Sequence, residues 1–156
     1  MNTHTAVLDN PSAETACPER ILQAALAAWR QGNLVKVADQ FNDQFTFTDH
    51  ALELEFRDKG RLTEFLEKIR ELFPDSERKT NTIFSRGNRV ISDWTLTASQ
   101  TEPFLGESLQ KVPIVVRGIS VVQIKNGKIS RWSDYYDQLK SRRYGVAASF
   151  TEWIEL

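Results

Sequence analysis

Residues 112–137 read VPIVVRGISVVQIKNGKISRWSDYYD, two apolar-rich runs around one tight-turn pair. Asn126-Gly127 separates two apolar-rich runs, Val112 to Lys125 and Lys128 to Asp137. An Asn-Gly pair between such runs signals a two-residue hairpin, because both central residues of that turn need positive φ. The two runs are therefore expected to be adjacent antiparallel strands. Moving back along the chain, Thr80 to Ser85 and Arg89 to Gln100 flank Arg86-Gly87-Asn88 and add two more strands, so the C-terminal half is a long antiparallel meander. Further back the period changes from two to that of a helix. Pro18 opens a first helix whose apolar positions Ile21, Leu22, Ala25, Leu26, Ala28 and Trp29 run to Gly32. A short second helix is expected from Leu34 to about Phe41, then a strand over Phe45, Phe47 and Asp49 alternating with Thr46 and Thr48. A third helix starts near Asp58, carries Leu62, Phe65, Leu66, Ile69, Leu72 and Phe73 on one face, and closes at Pro74. Helices first, then a meander, predict an α+β domain in which three N-terminal helices cover one face of a curved, mostly antiparallel sheet and enclose a pocket.

The 156 residues suffice for one domain with a sizeable core. Twenty Lys and Arg balance twenty-one Asp and Glu, so there is no basic excess to neutralise phosphates and nucleic acid is not an expected partner. The single Cys17 excludes an internal disulfide framework and suits a reducing compartment. With His4 and His50 the only histidines, no histidine- or cysteine-built zinc site is expected, and no dinucleotide, P-loop or nucleophile-elbow motif is present. No apolar run reaches the roughly 18 residues of a membrane span, and the N-terminus lacks the pattern of a signal peptide. The expectation is a cytoplasmic protein with no metal, no cofactor and no membrane partner. Residues 1–17 are polar and small and read as a mobile tail; the domain runs from Pro18 to Leu156. Its extension from about residue 139, with Tyr144, Val146, Phe150, Trp153 and Ile154, is expected to pack over the pocket mouth or across a dimer interface.

Four segments carry a family likeness: Ala28-Trp29-Arg30-Gln31-Gly32-Asn33, Phe47-Thr48-Asp49-His50, Asp93-Trp94-Thr95-Leu96-Thr97, and residues 126–137. With these, the chain resembles the SnoaL-like branch of the nuclear transport factor 2 superfamily over about Pro18 to Leu139. The resemblance implies a cone of three helices and a strongly bent sheet, but the superfamily holds cyclases, isomerases, epoxide hydrolases and non-catalytic binders, so the fold does not choose a function. Trp132-Ser133-Asp134-Tyr135-Tyr136-Asp137 is similar to the last strand of limonene-epoxide hydrolases, where Asp134 matches the active-site acid. The Arg and Asp that complete that site are replaced by Trp94 and Leu96, which argues against epoxide hydrolysis. Asp49 matches the general base of ketosteroid isomerases, yet the two oxyanion donors of those enzymes are replaced by Ala25 and Ser120. The less demanding SnoaL-like cyclase arrangement, a pocket Asp acting as acid and base on a conjugated substrate, is the one this chain can satisfy.

The expected site therefore has Asp134 as the acid/base on an apolar cyclic or polyketide-like substrate, Asp49 across the cavity and His50 as further candidate acid/base groups, and Phe47, Trp94, Ser120, Trp132 and Tyr136 around the ligand. Period-two alternation puts Trp132 and Tyr136 beside Asp134 on one strand face, so its carboxyl group enters a poorly hydrated cavity. The alternatives are specific. Asp134 could pair with a cation such as Arg131, Asp49 could cap a turn, and His50 could be a local hydrogen-bonder. A non-catalytic ligand-binding or interaction module of the same fold remains a rival, as does a dimerisation domain with a collapsed pocket. Ile119 and Val121 should point away from the cavity, and an apolar outer sheet face predicts a homodimer.

Overall fold

The computed structural model describes residues 17–104 and 108–137. Helix α1 spans Pro18–Arg30, α2 Leu34–Asp39 and α3 Lys59–Leu72. The strands are β1 Phe41–Asp49, β2 Leu54–Phe56, β3 Glu77–Arg86, β4 Arg89–Phe104, β5 Ser108–Lys125 and β6 Lys128–Tyr136. They form one sheet in the order β2-β1-β6-β5-β4-β3. Strands β3 to β6 are the expected antiparallel meander, and β1 inserts parallel to β6 with Asp49 opposite Asp134. The architecture is the α+β, mostly antiparallel curved sheet that the order of elements implies.

Local chemistry explains the element boundaries. Asn126 and Gly127 have φ of 54° and 74°, so the hairpin turn takes the positive-φ conformation that this pair favours. Asp58 accepts the Arg61 amide N–H at 2.9 Å and caps α3 at the expected position. Two expectations are corrected. The second helix ends at Asp39, and Phe41 opens β1, because its ring is buried against Phe45 and Trp132 in the core below the sheet. The edge strand β2 is an addition that three residues of alternating burial gave too little pattern to reveal.

The helices bury Ile21, Leu22, Ala25, Ala28, Leu62 and Phe65 against the concave sheet face, where Phe41, Phe47, Val90, Val122, Ile129 and Trp132 meet them. A smaller cluster of Trp94, Ile114 and Val116 lies farther along β4 and β5, and Tyr136 packs against both clusters. The cavity opens between these two clusters. Of the 1–17 tail only Cys17 is described, and the C-terminal extension from about 139 lies outside the described residues. No helix among the described residues is long and apolar enough to cross a membrane.

Candidate functional site

The cavity has a volume of about 160 Å³. Its walls are apolar side chains of α1, α3 and the concave sheet face, among them Leu26, Phe47, Phe65, Leu66, Ile69 and Trp132. Among the described residues, only Asp49, Asp134, Arg78 and Tyr136 bring ionisable groups to this lining. Two aspartates from β1 and β6 stand side by side because those strands run parallel in register.

The two carboxyl groups have different partners. Asp49 Oδ1 accepts the Leu52 amide N–H at 2.9 Å, and Oδ2 accepts the Tyr136 hydroxyl at 2.8 Å. Asp49 thus does cap the turn after β1, and it also lines the cavity. Burial, reinforced by the negative charge of Asp134, pushes the Asp49 pKa up to about 7 against the downward pull of these hydrogen bonds. Asp134 Oδ1 accepts the Trp132 indole N–H at 2.7 Å and the Ser120 hydroxyl. Ser120 Oγ in turn accepts the Trp94 indole N–H at 3.0 Å and an Nη2 hydrogen bond from Arg78. Asp134 is therefore the anchor of a five-residue network spread over β3, β4, β5 and β6.

Arg78 was absent from the expected site. Its Nη1 lies 3.6 Å from Asp134 Oδ2, an ion-pair distance, and its guanidinium sits 4.3 Å from the Trp94 ring centroid and 5.6 Å from that of Trp132. Burial pulls its pKa down while Asp134 and then Asp49 oppose that shift; a guanidinium nonetheless keeps its charge in proteins. The cation paired with Asp134 is thus Arg78, and the adjacent Arg131 is exposed. An arginine does reach Asp134, but from β3 rather than from the Trp94 position on β4.

A β-bulge brings Arg78 inward. Thr80 pairs with Trp94 and Thr82 with Asp93, leaving Asn81 as the extra residue. Even-numbered residues before the bulge and odd-numbered residues after it take the less exposed positions, so Arg78 and Ile83 both face the helices. Strict alternation counted from Ile83 would have put Arg78 outside. The apolar spacing of β3 carries no sign of the extra residue, so alternation alone does not extend the strand inward past Thr80.

Other candidates are distributed as follows. Phe47, Trp94, Trp132 and Tyr136 line the cavity together with Asp49 and Asp134. Ser120 is fully buried behind that lining and touches Asp134 rather than the open space. His50 is exposed and stacks on Tyr135 at 4.2 Å between ring centroids, on the opposite side of the sheet from the cavity. The one-residue step from Asp49 to His50 reverses the side-chain direction, so the structure does not bring His50 to the carboxylates. Tyr135, 47% exposed, likewise does not join the aromatic wall.

Solved structures with this fold include a protein from Jannaschia sp. CCS1 assigned to the SnoaL-like polyketide cyclases, with TM-score 0.70, 16% identity, and coverage of 86% of this chain and 94% of that one. AclR from Streptomyces galilaeus, provisionally assigned as a hydroxylase, superposes with TM-score 0.65 at 17% identity over 82% of this chain and 84% of its own. TerC, crystallised with polyporic acid, gives TM-score 0.66 at 15% identity over 89% of this chain and 98% of its own. At these identities the likeness concerns the fold alone. No curated protein matches the sequence. The family model for SnoaL-like polyketide cyclases matches residues 19–143, the whole helix-and-meander unit, and the protein belongs to that family.

Proposed function

We propose that the protein binds an apolar cyclic small molecule and catalyses cofactor-independent proton transfer on it, of the cyclase or isomerase type, with Asp49 as the acid/base. The observation that carries this reading is a buried carboxyl group at the cavity wall whose pKa is pushed up to about 7. A general base works best when its pKa lies near the operating pH, since both protonation states are then accessible. The ionised Asp49 takes a proton from an acidic carbon of a conjugated carbonyl compound, and the resulting carboxylic acid returns it elsewhere on the same molecule. Tyr136, whose own pKa burial and then Asp49 raise, keeps its proton and holds the carboxylate by a 2.8 Å hydrogen bond. Asp134 and Asp49 share the site, but the partners of Asp134 favour a positioning role for it. Ser120, Trp132 and Arg78 occupy its oxygens.

A carboxyl-detected NMR titration tests the reading. Asp49 is expected to titrate at about 7 in the free protein; titration near the ordinary value of about 4 overturns the acid/base role and leaves a binding module. In D₂O, the protein should accelerate deuterium uptake at the acidic carbon of a cyclic β-keto ester. Asp49→Asn should lower that rate by roughly a hundredfold or more.

The homodimer belongs to the same proposal. Val115, Ile119 and Tyr135 are 43%, 47% and 47% exposed on the convex sheet face, and Ile119 and Tyr135 are direct cross-strand neighbours. A two-fold axis through that face would cover them. Sedimentation equilibrium should give twice the chain mass at micromolar concentration, and Ile119→Asp should return it to the monomer. A wild-type monomer would overturn the dimer without touching the pocket.

A further inference from the structure

Among the described residues Arg78 is the one cation in the cavity wall, and its hydrogen bonding there is incomplete. A guanidinium carries five N–H donors. In this protein Nη2 donates to Ser120, Nη1 faces Asp134 only at 3.6 Å, and Nε is buried with no partner. A buried donor left without an acceptor is costly, more so when it is charged, and native sites resolve such a group through something that accepts from it. The aromatic rings on either side, Trp94 and Trp132, offer π-faces but no further acceptor, because both indole N–H groups are themselves donors already engaged with Ser120 and Asp134. Among the described residues nothing accepts from Nε, and Arg78 lines the cavity, so a molecule bound there can supply the acceptor.

The size of the cavity limits what can bring it. An apolar cavity of about 150 Å³ admits a benzene ring, and the cavity here is of that size, about 160 Å³. Charge limits it further. Asp134 already balances Arg78, so a permanently ionised ligand would add an unmatched buried charge beside two aspartates. A neutral hydroxyl group avoids this cost, and its oxygen can still accept from the guanidinium.

We infer that the cavity takes a planar single-ring ligand bearing a phenolic or enolic oxygen, and that Arg78 is the specificity-determining residue that receives this oxygen. The ring lies against Phe47, Phe65 and Trp132, and the oxygen meets the guanidinium within the field of both aspartates. This inference rests on the reading of the cavity as a small-molecule site, but not on Asp49 acting as a base. For a proton-transfer substrate, the same contact would stabilise the negative charge that develops on oxygen as the carbon loses its proton.

The test uses 4-fluorophenol and 4-fluorotoluene, which differ only in hydroxyl against methyl, with binding to the full-length protein followed by ¹⁹F NMR. Transfer from water favours the toluene, so tighter binding of the phenol reports the polar contact. 4-Fluorophenol is expected to bind at least about tenfold more tightly than 4-fluorotoluene, the gap that a hydrogen bond to a charged group supports. The double variant Arg78→Gln/Asp134→Asn removes the cation without leaving Asp134 buried alone, and should close the gap to within about threefold while 4-fluorotoluene binding persists. Equal affinities in the wild type, or a gap that survives in a folded double variant, overturn the role of Arg78 and leave the apolar pocket standing. Failure of both compounds to bind overturns the inference and the small-molecule reading together. If the double variant does not fold, the wild-type comparison alone decides.

Discussion

Asp49→Asn is expected to be more stable than the wild type at pH 8 and no more stable at pH 4. The Asp49 pKa is raised from the ordinary 3.8 to about 7 in the folded protein, so between those values the folded chain holds a proton that the unfolded chain has released. A raised folded-state pKa contributes stability at low pH that is lost as the pH climbs through the folded pKa. The loss starts near pH 4 and is complete just above pH 7. Roughly three pKa units correspond to about 4 kcal/mol. An asparagine does not titrate and escapes that loss. Its amide oxygen can still accept from the Leu52 N–H, while its NH₂ can donate to the Tyr136 oxygen, so the two hydrogen bonds at this position have replacements. In a domain of this size the gain at pH 8 should appear as a rise in Tm of roughly 10 °C. Thermal unfolding of both proteins at pH 4, 6 and 8 checks it: the difference must grow with pH. A constant or shrinking difference would mean that Asp49 is an ordinary ionised carboxylate. Greater stability combined with the loss of deuterium uptake would mark the trade of stability for a working site.

The second large effect is expected at a residue with no side chain. A Cβ added at Gly118 would lie 2.4 Å and 2.6 Å from two carbons of the Trp94 ring and 2.7 Å from the Tyr135 carbonyl oxygen. The carbonyl belongs to β6, paired with β5, and cannot retreat without breaking the sheet ladder. The indole cannot retreat without dropping its hydrogen bond to Ser120 and its stack on Arg78. Gly118→Ala is therefore expected to destabilise the protein by about 3 kcal/mol, the upper part of the range for overpacking. Urea unfolding measures the loss, and near-UV circular dichroism reports whether Trp94 has left its place. A substitution tolerated within about 0.5 kcal/mol, as at an ordinary surface position, would show that the Trp94 ring is free to move. Gly118 is thus a positioning residue. It lets Trp94 lie flat across β5, and through Ser120 that ring reaches Asp134.

Much of this molecule follows from local rules that act on short stretches of chain. Helical spacing from Ile21 to Trp29 and from Leu62 to Leu72, the Asp58 cap, and the positive φ of Asn126-Gly127 fixed the helices and the last hairpin, because each depends on residues close in sequence. Alternation along β6 likewise put Trp132, Asp134 and Tyr136 on the cavity side, and Phe47 and Asp49 followed from the same rule on β1. What alternation could not supply was the partner of each group. His50, next in sequence to a pocket residue, faces the other way, and Arg131, next to Trp132, stays exposed while a more distant arginine takes Asp134.

That arginine marks the division. The α+β class, the apolar face of the sheet and the two aspartates that enter it are legible in the residues alone, since side-chain periodicity and turn chemistry are local properties. Long-range packing set the rest: the bulge at Asn81 turns Arg78 inward, parallel pairing sets Asp49 beside Asp134, and burial pushes the Asp49 pKa up to about 7. Those outcomes depend on burial and on charges brought together from three strands, and no spacing along a single strand encodes them.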